Sequence, residues 1–400
     1  MVWASAVSEE PDTRRAALAA GAEVARVLRG APPDLAFVFF SPHHRAAAGA
    51  VAAALAEALL PRDLVGCSAG GVIGAGREVE GRPGLSVTAA CLPGVTVRSF
   101  TLSNDDLPDE DAPPRAWEAM LGVPAAGGSH FLVLADPFTF RTDLLLRGLD
   151  YAYPRSSKAG GLASAADRPG QNALLAGGEV RHDGCAMVAL SGAIAVDTVV
   201  AQGCRPIGRP MRITRAEANL LVELDGRPPM SVLGDLVPQL SERDQQLVRS
   251  ALFVGIGADG TIEKPHQGDF LIRNILGVAP EKGALAIGEM LRVGQTVQFH
   301  LRDALTSAED LKEMLGHYAT EVRGHPDVTD PLGALLFSCM GRGQHLYGRA
   351  DHDTELFREK IGDVPLGGFF ANGEIGPVRD QTHLHGFTSA FAVFRPPSTS

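Results

Sequence analysis

Two glycine-rich decapeptides near opposite ends of the chain, Val65-Gly-Cys-Ser-Ala-Gly-Gly-Val-Ile-Gly74 and Gly367-Gly-Phe-Phe-Ala-Asn-Gly-Glu-Ile-Gly376, match in register. Gly66 aligns with Gly368, Ala69 with Ala371, Gly71 with Gly373, Ile73 with Ile375 and Gly74 with Gly376. Glycine is needed where φ is positive or where other atoms approach the backbone closely, so a repeated glycine spacing demands a repeated backbone geometry. Apolar runs extend the repeat. Phe37-Val-Phe-Phe40 ends at Ser41-Pro42, and Phe131-Leu-Val-Leu134 leads to Asp136-Pro137; Ser41 to Gly66 and Asp136 to Gly161 both span 25 positions. A third copy runs from Leu335-Leu-Phe337 through Ser338-Cys339 to Gly368, lengthened by the Gly341-Arg-Gly-Gln loop. The expectation is three strand, helix, glycine-turn units, each followed by one or two further strands.

Helical spacing marks 11–29, 43–60, 141–153, 230–248 and 307–322. Two β-branched hairpins are expected, Leu85–Leu92 with Val95–Leu102 around Pro93-Gly94, and Ala186–Leu190 with Ile194–Val200 around Ser191-Gly192. Further strands are expected at 218–224, 270–276 and 297–301. The fold class is therefore α/β in the mixed α+β sense, with mixed sheets flanked by helices. A chain of 400 residues exceeds one ordinary core of roughly 100 to 200 residues, so two domains are expected. The Gly- and Pro-dense stretch from Gly203 to Pro210 marks the boundary. This gives an N-terminal helix or extension at 1–34, domains at 35–208 and 209–392, and a disordered tail at 393–400.

A net charge of −11 with no basic run argues against nucleic-acid and acidic-membrane surfaces. The N-terminus lacks the basic start and apolar block of a signal peptide, and no stretch supplies the roughly 20 apolar residues of a membrane helix. Five scattered cysteines without C-x-x-C spacing suit free thiols in a reducing cytoplasm.

Several residues carry chemistry worth weighing. Gly66-Cys67-Ser68-Ala69-Gly70 fits the elbow that presents a serine nucleophile, yet the next residues, Gly71-Val-Ile-Gly-Ala-Gly-Arg77, are too glycine-rich for the helix an elbow opens, and the copies carry Ala163 and Phe370 in place of Ser68. Cys339 lies at a strand end before a glycine loop, where Arg342 offers a cation to an anionic group. Glu374 replaces Val72 of the first copy and has Asn372, Arg379, Asp380, His383 and His385 near it in sequence. The expected ligand-binding set is Cys339, Arg342, Asn372, Glu374, His385, Cys67 and Ser68, with no catalytic or metal-binding residue. The rival is a hydrolase or transferase using Cys339 or Ser68 as nucleophile and His385 as base. Arg273, inside an apolar strand, is expected to pair with Asp303, and His43-His44 is read as an exposed pair.

Six motifs in order resemble the FIST family in both its N-terminal and C-terminal domains: Val65-Gly-Cys-Ser-Ala-Gly-Gly, Cys204-Arg-Pro-Ile-Gly, Val222-Glu-Leu-Asp-Gly, Gly294-Gln-Thr-Val-Gln-Phe, Phe337-Ser-Cys-Met-Gly-Arg-Gly and Gly368-Phe-Phe-Ala-Asn-Gly-Glu-Ile-Gly-Pro. The resemblance covers roughly residues 35 to 390. It implies a cytoplasmic, non-enzymatic sensory protein of bacterial type that binds a small ligand, an amino acid or similar polar metabolite. With no signalling module in the chain, the expected output is a downstream protein supplied in trans. Some relatives are described as haem-based nitric oxide sensors; no cofactor is required here, and His300 and Cys339 are the haem-ligand candidates.

Overall fold

Three times along the chain the same elements recur: a lead strand, a helix, a core strand, a helical segment, a second core strand, a hairpin and a return strand. The computed structural model describes residues 1–258, 268–325 and 327–398, the side chain of Arg323 apart. In the first repeat the strands are Val2–Ser8, Leu35–Phe40, Asp63–Ser68, the hairpin Gly71–Gly74 with Arg77–Glu80, and Leu85–Cys91. In the second they are Val95–Leu102, His130–Ala135, Lys158–Leu162, the hairpin Leu174–Ala176 with Glu179–Arg181, and Cys185–Gly192. In the third they are Ala195–Ala201, Gly333–Cys339, Leu366–Ala371, the hairpin Glu374–Val378 with Gln381–His385, and Ser389–Arg395.

Each repeat builds a six-stranded sheet in the order lead, return, first core, second core, hairpin. The two core strands are parallel, as the helix between them requires. The hairpin comes from another repeat. The second repeat's hairpin sets Leu175 opposite Gly66 in the first sheet, the third's sets Ile375 opposite Gly160 in the second, and the first's sets Ile73 opposite Gly368 in the third. The exchange is cyclic and closes within one chain.

These pairings explain the glycines. A β-carbon on Gly66, Gly160 or Gly368 would run into the carbonyl oxygen of Val38, Val133 or Leu336 on the adjacent core strand. The alignment of the first decapeptide with the third holds, Ile73 and Ile375 included. The second copy is corrected by one position: the counterpart of Gly66 is Gly160, not Gly161, so Leu162 rather than Ala163 answers to Ser68 and Phe370.

The first core strands read as largely apolar runs because both faces are buried. Phe37, Phe39, Leu132, Leu134, Leu335, Phe337 and Phe369 share one central core, where Phe39 and Phe337 lie 4.8 and 5.7 Å from Phe369. Burying each phenyl ring contributes about 1.5–3 kcal/mol. The alternate residues Ala36, Val38 and Phe40 face the alanine-rich helices Thr13–Val27 and Ala48–Leu59.

Neither expected hairpin forms. Leu85–Cys91 belongs to the first sheet and Val95–Leu102 to the second; Cys185–Gly192 belongs to the second and Ala195–Ala201 to the third. Pro93-Gly94 and Ser191-Gly192 are junctions at which the chain changes sheet. Residues 2–27 supply the first sheet's lead strand and its helix. Arg395, within the expected tail, ends the last strand and pairs with Asp197 at 2.6 Å, while Thr399 and Ser400 lie outside the described residues.

By contact the chain forms two units, one of residues 1–200, 312–384 and 388–400, the other of 201–311 and 385–387. The second holds a closed six-stranded barrel in the order Arg205–Glu217, Leu220–Leu224, Ala284–Ile287, Phe270–Ala279, Leu252–Gly257, Thr296–Leu301. Ile213, Leu221, Val254, Ile256, Leu285, Val297 and Phe299 are among the residues of its core. The expected helix 230–248 is two helices, Pro229–Leu236 and Glu242–Val248, because Pro238 lies between them and Ser241 caps the second through the Asp244 N–H. Arg273 pairs with Glu289 at 2.9 Å, and Asp303 with Arg243 at 3.2 Å, so the expected Arg273–Asp303 pair is replaced by two others.

Candidate functional site

The carboxyl ends of parallel strands are where α/β proteins present loops and backbone groups to ligands. In the first unit three such pairs of ends meet. The residues following the second core strands, Gly70, Ser164 and Asn372, are counterparts under the corrected register. Ser164 ties them together: its N–H donates to the Ser68 carbonyl at 3.3 Å, its hydroxyl accepts the Gly70 N–H at 2.9 Å, and the same hydroxyl donates to the Phe370 carbonyl. The Asn372 N–H donates to the Leu162 carbonyl at 3.0 Å.

Above them opens a cleft of about 590 Å³ lined by Arg45, Phe138, Ser164, Ala165, Ala166, Asp167, Gln171, Met340 and Asn372. Arg45 donates from Nη1 to the Ala165 carbonyl at 2.7 Å, which orients the guanidinium and leaves other donors for a ligand. Asp167 is exposed and lies 3.8 Å from Arg168, a loose surface pair. Gln171 and Asn372 add exposed amides, and Phe138 and Met340 add exposed apolar surface. A cation, a carboxylate, two amides and two apolar side chains suit a small molecule bearing both charges and a modest apolar part.

Of the sequence-derived residues, Asn372 lines the cleft directly, and Cys339 adjoins it through Met340. Cys67 is fully buried in the central core, and burial pushes its thiol well above the ordinary range. Ser68 is equally buried; its hydroxyl accepts the Ala173 N–H at 2.9 Å and donates to Asn172 at 3.4 Å, and Asn172 donates on to Asp136 at 2.9 Å. His385 is buried and belongs to the barrel unit.

Arg342 is fully buried, and its guanidinium faces inward, not toward an open anion site. It donates to Asp353 from Nε at 2.9 Å and to Tyr347 from Nη2 at 2.6 Å. Asp353 also accepts from Ser338 at 3.2 Å and Ser389 at 2.6 Å, and the Arg342 charge holds its carboxyl below the usual carboxylate range against the opposing effect of burial. The expected anion contact is thus taken by a residue of the same repeat.

Glu374 has a structural account that the copies supply. Ser41, Asp136 and Cys339 are counterparts, and each donates its N–H to the residue before the return strand, Gly84, Gly184 or Thr388, at 2.8, 2.9 and 2.9 Å. The N–H of that partner needs an acceptor in turn. Ser41 supplies it in the first repeat at 3.0 Å, and Thr139, itself bound to Asp136, in the second at 3.1 Å. In the third repeat Glu374 does so, at 3.0 Å from the Thr388 N–H and 2.7 Å from its hydroxyl. The one carboxylate among Val72, Leu174 and Glu374 stands in the repeat where cysteine occupies the strand end.

Two other expectations change. His44 is buried, with Nδ1 3.0 Å from the Thr13 hydroxyl, so His43-His44 is not an exposed pair. His300 of the barrel is buried against Phe270 and Gly255, its Nδ1 3.0 Å from the Gln298 carbonyl, and burial lowers it to about 4. Among the described residues no group of three His, Cys, Asp or Glu is placed to hold a metal, and no helix is long and apolar enough to cross a membrane.

Sequence reasoning missed Arg45, Phe138, Ser164, Asp167, Gln171 and Met340. The signal for Ser164 was present: with the second copy shifted by one position it falls beside Gly70 and Asn372.

Comparison with known proteins agrees with this architecture. The chain matches the FIST N domain over residues 34–227 and the FIST C domain over 229–377, so the second match runs through both the barrel and the third repeat. An uncharacterized protein of Mycobacterium tuberculosis is 38% identical over 390 residues, covering 97% of this chain and 98% of the relative. Another, from Mycobacterium bovis, is 36% identical over 391 residues, covering 97% of each chain. Human F-box only protein 22 is 32% identical over 75 residues, 15% of this chain and 19% of that protein. The chain belongs to the FIST family.

Proposed function

We propose that this is a non-enzymatic, cytoplasmic sensory protein that holds an amino acid or a similar small polar metabolite in the strand-end cleft and signals through a partner protein. FIST domains form a sensory-domain family, which supports the sensory part of the reading. The observation that carries the ligand class is the placing of Arg45 and Asp167 around one cleft with the amides of Gln171 and Asn372. Arg45 receives the carboxylate, Asp167 the amine, and Asn372 a further polar group. Phe138 and Met340 flank the apolar part. Ser68, Arg342 and Glu374 act behind the wall, holding the strand ends in position, and Cys67 packs the core beneath.

The test is a thermal-shift screen of the full chain with single amino acids and small carboxylates. The expected result is a raised midpoint with one chemical class, reduced by Arg45→Ala or Asp167→Ala at least tenfold in apparent affinity. A midpoint that no amino acid or carboxylate raises, or a shift that both variants retain, overturns the reading. An absorption spectrum of the same preparation separates it from a haem sensor.

A further inference from the structure

The hairpin that the first repeat gives to the third sheet carries Glu78, which is 2% exposed. Its N–H donates to Asp351 at 2.5 Å, and its Oε1 accepts the Thr354 N–H at 3.0 Å in the first turn of helix His352–Ile361. Asp351, at the start of that helix with φ of 62°, makes no side-chain cap bond, so Glu78 caps the helix from another repeat. The other oxygen, Oε2, is buried and has no hydrogen-bond partner.

The surroundings are acidic. Asp351 and Asp353 face Glu78 from the helix start, and Glu80 from its own strand, with His345 near Glu80. Of the nearby cations, Arg349 is engaged by Glu355 and Arg342 by Asp353. A carboxylate buried among carboxylates with one bare oxygen is costly; a neutral carboxyl keeps the bond to Thr354 and removes the repulsion. Beside it, Glu80 accepts the Gln344 N–H at 2.9 Å, at the start of the short helix Gly343–Tyr347 that follows Met340 of the cleft.

We infer that Glu78 is a proton-operated latch: protonated, it fastens the exchanged hairpin to helix His352–Ile361 and the short helix before it in the third repeat, and ionised, it releases them. Burial, followed by the Asp353 charge, raises Glu78 from 4.5 to about 8. A raised folded-state value means that the stabilisation is complete below the ordinary carboxylate value, declines as pH rises above it, and is gone above about 8. The latch does not depend on what the cleft binds.

Hydrogen–deuterium exchange of the full chain, corrected for intrinsic rates, tests it in wild type and Glu78→Gln. Wild type is expected to lose protection in 71–80 and 343–354 by about tenfold between about pH 7 and pH 9, whereas the glutamine variant keeps it. Equal loss in both, or no loss in wild type, overturns the latch. Infrared titration of wild type gives a readout that needs no variant: a protonated carboxyl must disappear near pH 8, and its absence at neutral pH also overturns the latch.

Discussion

At the scale of single residues, the glycines of the decapeptides were legible from their spacing alone, because a carbonyl that excludes any β-carbon leaves glycine as the only choice. Gly368→Ala should lower stability by more than about 3 kcal/mol in denaturant unfolding, since both the collision with the Leu336 carbonyl and the φ of 141° oppose it. Gly49→Ala, in the open on a helix, should instead raise stability by about 0.5–1 kcal/mol. The role of Arg342 was not legible. Its place in a strand-end glycine loop suggests a ligand contact, but its partner Asp353 lies on a helix whose packing no local pattern announces. Arg342→Met should cost about 3–5 kcal/mol by stranding that carboxylate. Asp353, held below its ordinary value, should contribute stability above the usual carboxylate range that is lost as pH falls, and acid unfolding of wild type against the variant reads that difference directly.

At the scale of elements, strands and helices were largely legible and their pairing was not. Pro93-Gly94 has the chemistry of a hairpin turn, yet turn chemistry reverses a chain without deciding which sheet accepts the next strand. That choice rests on contacts far away in sequence: Val95–Leu102 pairs with Cys185–Gly192. The true hairpins were hidden because Gly71–Gly74 and Leu174–Ala176 are short and carry little alternation. The exchange predicts where a lesion should be felt. Val72 is fully buried opposite Phe369, so Val72→Asp should raise hydrogen exchange in the third sheet, at Leu366–Ala371, before it does so in the first repeat's own Leu35–Phe40. Equal exchange in both strands would show that the hairpin does not support the sheet that receives it.

At the scale of the whole molecule, the duplication seen in two decapeptides is a closed cycle of three repeats. It was half visible because the second copy kept the fold while losing most of the glycines, having Ala173-Leu-Leu-Ala176 where the first has Gly71-Val-Ile-Gly74. The candidate cleft was legible only at Asn372, since its other walls come from loops of all three repeats that become neighbours only when the cycle closes. The barrel enters this cycle at a single place, between the lead strand and first helix of the third repeat. The same junction exists twice more, as the short turn between Ser8 and Thr13 and the longer acidic segment between Leu102 and Pro114. The chain of the cycle thus has three equivalent points of insertion, one of them used, and a foreign domain grafted at the segment after Leu102 would leave every strand exchange intact.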